Sequence, residues 1–88
     1  MSVTETAVLN RIADIWRDLL DRPDLALTGG DNFFTLGATS LQAMSMVEQL
    51  GAEFGVPVSI FAVTESPELG ALADHVTELL HGCEVGEL

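Results

Sequence analysis

The sequence contains no lysine and no tyrosine, only three arginines, one cysteine and one tryptophan. Arg11, Arg17 and Arg22 face 14 Asp plus Glu, for a net charge of -11. No basic stripe is available to follow a phosphate backbone or to lie on an anionic membrane surface, so nucleic acid and membrane are excluded as partners. Partners carrying basic patches are favoured instead. A single cysteine, Cys83, cannot close an internal disulfide, which points to a reducing compartment. Cys83 itself reads as a spare exposed thiol in a polar tail. No apolar run approaches the ~20 residues of a membrane span. Residues 1–5 lack the basic and apolar regions of a secretory signal. A cytoplasmic location is the expectation.

What is present is an apolar content of 48% and a mean hydropathy of +0.36 in 88 residues. A disordered acidic tail would be charge-rich and apolar-poor, so the chain is expected to fold. Its length allows one domain, residues 1–88, with a core over about 4–81 and a flexible tail over 82–88. Such a chain buries only about two-thirds of its unfolded surface, which limits the core. It reads as one complete small monomeric protein, although a segment cut from a larger chain would look the same.

Apolar residues recur at helical spacing in three segments, and none shows sustained period-two alternation. The first spans Thr4 to Leu20, with Leu9, Ile12, Ala13, Trp16, Leu19 and Leu20 on one face. Ser2 with Glu5 fits a capping box, with Thr4 as an alternative cap. Pro23 disfavours helix at the residue before it and ends the segment. Residues 21–38 form a long connection holding Pro23, Gly29, Gly30 and Gly37. A structureless loop of that length needs anchors. Leu25, Leu27, Phe33, Phe34 and Leu36 are the candidates, with at least one Phe expected in the core.

The second helix is expected from Thr39 or Ser40 to about Phe54, stopped by Gly55. Thr39-Ser40-Leu41-Gln42 matches a T-x-x-Q capping box with Thr39 as N-cap. That leaves the Ser40 hydroxyl free at the first helical position. Ala43, Met46, Val47, Leu50 and Phe54 share one face, whereas Leu41 and Met44 point elsewhere, beside Glu48. Val56 to Val63 has strand propensity but no partner strand, and reads as a short helix or turn on the core. The last helix is expected to be capped by Ser66, with Pro67 in its first position, and closed by Gly82. Leu69, Leu72, Ala73, Val76, Leu79 and Leu80 form its apolar face. The fold class is all-α: a small four-helix bundle of three main helices and one short one.

Little in the chain suggests catalysis. His75 and His81 lie six apart, no second cysteine exists, and no D-x-D-x-D-G loop occurs, so no metal site is expected. Both histidines read as solvated helix surface. The G-x-S-x-G elbow is absent, and a chain this short has little room for a substrate pocket. Attention falls on residues 31–41, where an anchored loop and a Gly hinge lead to a serine at a helix start. The helix dipole and its unpaired N–H groups favour an anion there. From the residues alone two readings stand: Ser40 is the site of a phosphate ester, or it is an ordinary helix-start serine.

Asp31, Phe33, Phe34, Leu36, Gly37, Ser40 and Leu41 resemble the D-x-F-F-x-L-G-x-x-S-L signature of the acyl carrier and peptidyl carrier superfamily, the thiolation domains. The long first loop, short third helix and Ser66-Pro67 entry extend the likeness over roughly residues 4–80. The resemblance implies that Ser40 carries 4'-phosphopantetheine as O-(pantetheine 4'-phosphoryl)serine. A separate phosphopantetheinyl transferase would install it from coenzyme A. Acyl or aminoacyl cargo would then be held as a thioester for adenylating or acyl-transferring enzymes and for condensing or tailoring enzymes. The chain itself would catalyse nothing. The Asp31-Asn32-Phe33-Phe34 form is similar to the peptidyl carriers of nonribosomal peptide synthesis, which implies a role in antibiotic or related secondary-metabolite biosynthesis.

Three residues depart from that pattern. Thr39 stands where fatty-acid carriers have Asp and many peptidyl carriers have His. Ala38 replaces the second glycine of the peptidyl pair, and Thr64 stands where Phe is common. These departures leave the cargo class open between peptidyl and polyketide types but leave the attachment site in place. Leu41, Met44, Glu48 and Thr39 are the expected partner-binding residues, with Glu53 a further carboxylate for basic partners. The alternative function is an unmodified helical interaction domain that keeps the fold and lacks the arm.

Overall fold

In the computed structural model, residues 3–85 are described, with side chains over residues 5–81. They form α1 (Val3–Leu19), α2 (Ser40–Phe54), α3 (Ile60–Glu65) and α4 (Leu69–Val85). The apolar stripe of α1 is wider than its sequence pattern indicates. Val8 and Ile15 join Ile12, Ala13 and Trp16 in the core, while Leu9, Leu19 and Leu20 pack at its margin. α1 lies mainly against α4 and also packs on α2, which it meets from Arg11 to Leu19. Ser2 lies outside the described residues, and Thr4 falls inside α1, so it is not the cap.

The end of α1 is a Schellman turn. Asp21 adopts a left-handed conformation, with φ 56°. The Asp21 N–H donates to the Asp18 carbonyl at 3.2 Å and the Arg22 N–H donates to the Arg17 carbonyl at 2.9 Å. The helix thus ends at Leu19, four positions before Pro23, by a local turn.

Backbone pairing with the start of α4 anchors the long connection. The first N–H groups of a helix have no partner within it. Here the Leu69 N–H donates to the Asp31 carbonyl at 2.9 Å, and the Gly70 N–H donates to the Gly29 carbonyl at 2.8 Å. The Phe33 N–H donates to the Pro67 carbonyl at 3.0 Å, and Asn32 bridges to Glu68. This pairing corrects two expectations. α4 begins at Leu69, with the Glu68 carbonyl accepting its first helical bond from Leu72, because Pro67 and Glu68 are engaged by the loop. Ser66 does not cap α4; it ends α3, its N–H donating to the Ala62 carbonyl. Gly29 and Gly70 meet closely, and a Cβ on Gly70 would lie 3.1 Å from the Gly29 carbonyl oxygen.

The core is one cluster drawn from all four helices and the loop. Ala43, Met46 and Leu50 enter from α2, Val63 from α3, and Leu69, Leu72, Ala73 and Val76 from α4. Phe33 is fully buried, its ring 4.9 Å from that of Trp16. The buried Trp16 Nε1–H donates to the Met46 Sδ at 2.7 Å, which gives the indole a partner without water. Val56 to Ser59 run without helix, and Ser59 then caps α3.

Gly82 does not close α4, which continues to Val85. A glycine inside a helix costs only about 1 kcal/mol relative to alanine. Residues 86–88, part of the expected flexible tail, lie outside the described residues, as does the side chain of Cys83. His81 is exposed, but His75 is half-buried and its Nε2 has no hydrogen-bond partner. The expectation of two solvated histidines therefore holds for one of them.

Candidate functional site

Residues 31–39 are a chain of satisfied local bonds. Asp31 Oδ2 accepts from the Thr28 N–H at 2.7 Å. Asn32 Oδ1 accepts from the N–H groups of Phe34 at 2.9 Å and Thr35 at 3.1 Å, so its short side chain shapes the next turn. Phe33 plugs into the core from the middle of that turn, with Phe34 edge-on to it at 6.0 Å. Gly37 closes the turn at φ 105°, a conformation that disfavours any Cβ. The chain then enters α2 through Thr39.

The capping box expected at Thr39 is complete. Thr39 Oγ1 accepts from the Gln42 N–H at 3.2 Å, and Gln42 Oε1 accepts from the Thr39 N–H at 2.9 Å. Ser40 is the first residue of α2 and is exposed. Its hydroxyl takes part in no hydrogen bond among the described residues. The N–H groups of Ser40 and Leu41 are the helix-start donors left open, and the positive end of the dipole lies there. A phosphodiester on Ser40 Oγ would meet open donors and water, with no desolvated carboxylate in the first turn of α2. The residues present fit such a group.

Ser59 makes the contrast. It also stands at a helix start, but as the N-cap, and its Oγ accepts from the Phe61 N–H at 3.1 Å. The position inside the cap frees the Ser40 oxygen; the position on the cap occupies the Ser59 oxygen.

Exposed apolar side chains follow Ser40 on α2, and α3 carries another. Leu41 is 73% exposed and Met44 57%, as their places off the core face predict. Phe61 on α3 is 75% exposed, which sequence reasoning missed. The spacing of Ile60 and Val63, three apart behind the Ser59 cap, was the available signal that Phe61 faces outward. Glu48 is exposed, whereas Glu53 is engaged by Arg11, whose Nε donates at 2.8 Å and Nη2 at 3.2 Å. The Arg11 guanidinium holds the Glu53 carboxyl below the usual glutamate range. A cleft of about 700 Å³ lies along α1 and α2, lined by Arg11, Asp14, Arg17, Asp18, Gln49 and Glu53, and excludes Ser40. Among the described residues no cluster of His, Cys, Asp or Glu could hold a metal ion, and no helix is long and apolar enough to cross a membrane.

A family model described as a phosphopantetheine attachment site matches residues 10–76. Phosphinothricin tripeptide synthetase PhsB of Streptomyces viridochromogenes is 38% identical over 73 residues, which cover 83% of this chain and 6% of that synthetase. BlmI, a type-II acyl carrier protein of Streptomyces verticillus involved in bleomycin biosynthesis, superposes with a TM-score of 0.78 at 25% identity, over 86% of this chain and 89% of that one. A structure of the phosphopantetheine transferase Sfp with coenzyme A and a peptidyl carrier protein superposes with a TM-score of 0.72 at 27% identity, over 88% of this chain and 92% of that one.

Proposed function

The chain belongs to the phosphopantetheine-attachment family, as a carrier that holds covalent 4'-phosphopantetheine and is not a catalyst, and from that premise we propose that Ser40 is the attachment residue. The observation that carries this reading is the exposed, unbonded Ser40 hydroxyl at the first position of α2. Thr39 and Gln42 hold the backbone on either side of it. The open Ser40 and Leu41 N–H groups lie at the positive helix end, where a phosphodiester is favoured. When attached, the group supplies a terminal thiol on which an acyl or aminoacyl unit is held as a thioester. The chain's own contribution is a rigid base for that tether, which raises the local concentration of cargo at each partner without tight binding.

A phosphopantetheinyl transferase acting from coenzyme A is the first partner in this reading. Adenylating or acyl-transferring enzymes and condensing or tailoring enzymes follow. The likeness to a synthetase and to a carrier of bleomycin biosynthesis supports nonribosomal peptide or related secondary-metabolite chemistry as the setting; a monomeric carrier acting in the cytoplasm is part of the proposal. Leu41, Met44, Phe61, Glu48 and Thr39 are the proposed docking residues. Glu53 is left out, because its carboxylate is committed to Arg11.

Incubation with coenzyme A and a broad-range phosphopantetheinyl transferase tests the attachment site. Intact mass should rise by one phosphopantetheinyl group in the wild type and stay constant in Ser40→Ala. No gain in the wild type would leave the unmodified helical interaction domain as the better reading.

A further inference from the structure

We propose that Gln42 is a positioning residue for the modification of Ser40, an inference that rests on Ser40 being the attachment site. Its side chain is half-buried and uses both halves of its amide. Oε1 accepts from the Thr39 N–H at 2.9 Å, which completes the capping box of α2. Nε2 donates to the Leu19 carbonyl at 3.0 Å, across 23 positions of sequence. Leu19 is the last residue of α1, and its carbonyl is among those a helix end leaves without a partner. The Schellman turn engages the carbonyls of Arg17 and Asp18 and leaves that of Leu19 to Gln42.

One amide therefore joins the end of α1 to the start of α2, at the turn that carries Ser40. The other polar links from α1 hold α2 further along: Trp16 reaches Met46 and Arg11 reaches Glu53. The chemistry selects an amide. A glutamate in this place would serve the capping box equally well. It would then turn an acceptor toward the Leu19 carbonyl, where a donor is needed. Gln42 touches neither the Ser40 hydroxyl nor the incoming group; it fixes the backbone on which the hydroxyl is presented. Without it the first turn frays, and only a fraction of molecules presents Ser40 in the competent geometry. That fraction enters the apparent affinity of the transferase for the carrier and not the turnover of the bound pair.

The experiment is steady-state modification of the apo protein by a broad-range phosphopantetheinyl transferase at saturating coenzyme A, with the carrier concentration varied. For Gln42→Ala the KM for the carrier should rise by up to roughly tenfold, the upper bound set by one lost capping interaction, with kcat within about twofold of wild type. A purely structural role would leave KM unchanged in a protein that stays folded by circular dichroism. Gln42→Glu keeps the acceptor and loses the donor, and its KM should fall between the other two. If Gln42→Ala does not fold, Gln42→Glu decides alone. The Thr39 amide should also exchange faster with solvent in Gln42→Ala, read by NMR. A KM equal to wild type in the folded variants, or a fall in kcat at constant KM, overturns the role of Gln42 while leaving Ser40 as the attachment site. No mass gain in the wild type overturns both.

Discussion

Residues 31–39 and Ser40 are neighbours in the chain and opposites in the fold. The loop spends its polar groups on itself and on α4: Asp31, Asn32 and Thr39 are each bonded, and Phe33 is fully buried. Ser40 is exposed, and its hydroxyl is bonded to nothing among the described residues. The difference separates two requirements of a tether site. The base must be rigid, so that partners meet one geometry, and the attached oxygen must be available. A serine one position earlier would be a cap with an occupied oxygen, as Ser59 is. The same division runs across α2, where Ala43, Met46 and Leu50 are buried while Leu41 and Met44 face water.

The contrast is broken most severely from the rigid side. Phe33→Ala should cost about 3–5 kcal/mol in chemical denaturation, the range for a fully buried phenyl ring. A cost near zero would show that the loop is not anchored through this ring. Gly70→Ala should cost about 1–3 kcal/mol, because the added methyl meets the Gly29 carbonyl oxygen at 3.1 Å and backbone must shift. Hydrogen exchange should report that loss first in the Leu69 and Gly70 amides. On the open side, Leu41→Asp and Met44→Asp should change stability by no more than about 0.5 kcal/mol, as exposed positions do. Both should nevertheless slow modification by the transferase. A large loss of stability in either would place that side chain in the core.

The smallest expected effects are those of pH. Glu53 titrates below the usual glutamate value in the folded chain, so its pairing with Arg11 stabilises the fold above that value and is lost as pH falls through the depressed one. Glu5 has the opposite sign. Its hydrogen bond to Asp74, desolvation and the neighbouring charge all raise its pKa, so its contribution is present at low pH and lost as pH rises through the raised value. Glu53→Gln should remove part of the loss of stability on acidification. Glu5→Gln should reduce the decline seen as pH rises out of the glutamate range. Thermal denaturation across that range checks both.

Much of this arrangement was legible from residue types and spacing. The T-x-x-Q box named Thr39 as cap, placed Ser40 inside the helix and turned Leu41 and Met44 outward, because these features depend on local periodicity alone. The need to anchor the loop was legible too, through two adjacent phenylalanines in a polar connection. Its means was not. The pairing of Gly29, Asp31 and Phe33 with residues 67–70 joins segments nearly forty positions apart, and no local signal specifies it. That unseen pairing is also why Ser66 and Pro67 were misplaced: a good local cap yielded to a tertiary bond. The use of Gln42 by α1, the exposure of Phe61 and the engagement of Glu53 by Arg11 were hidden for the same reason.

Peptide mapping of the transferase-treated protein by tandem mass spectrometry addresses the central claim most directly. The phosphopantetheinyl group should be found on Ser40 alone, with Ser45, Ser59, Ser66 and Thr39 unmodified. A group on any of those residues, or none on the chain, would contradict the assignment of Ser40 as the attachment site.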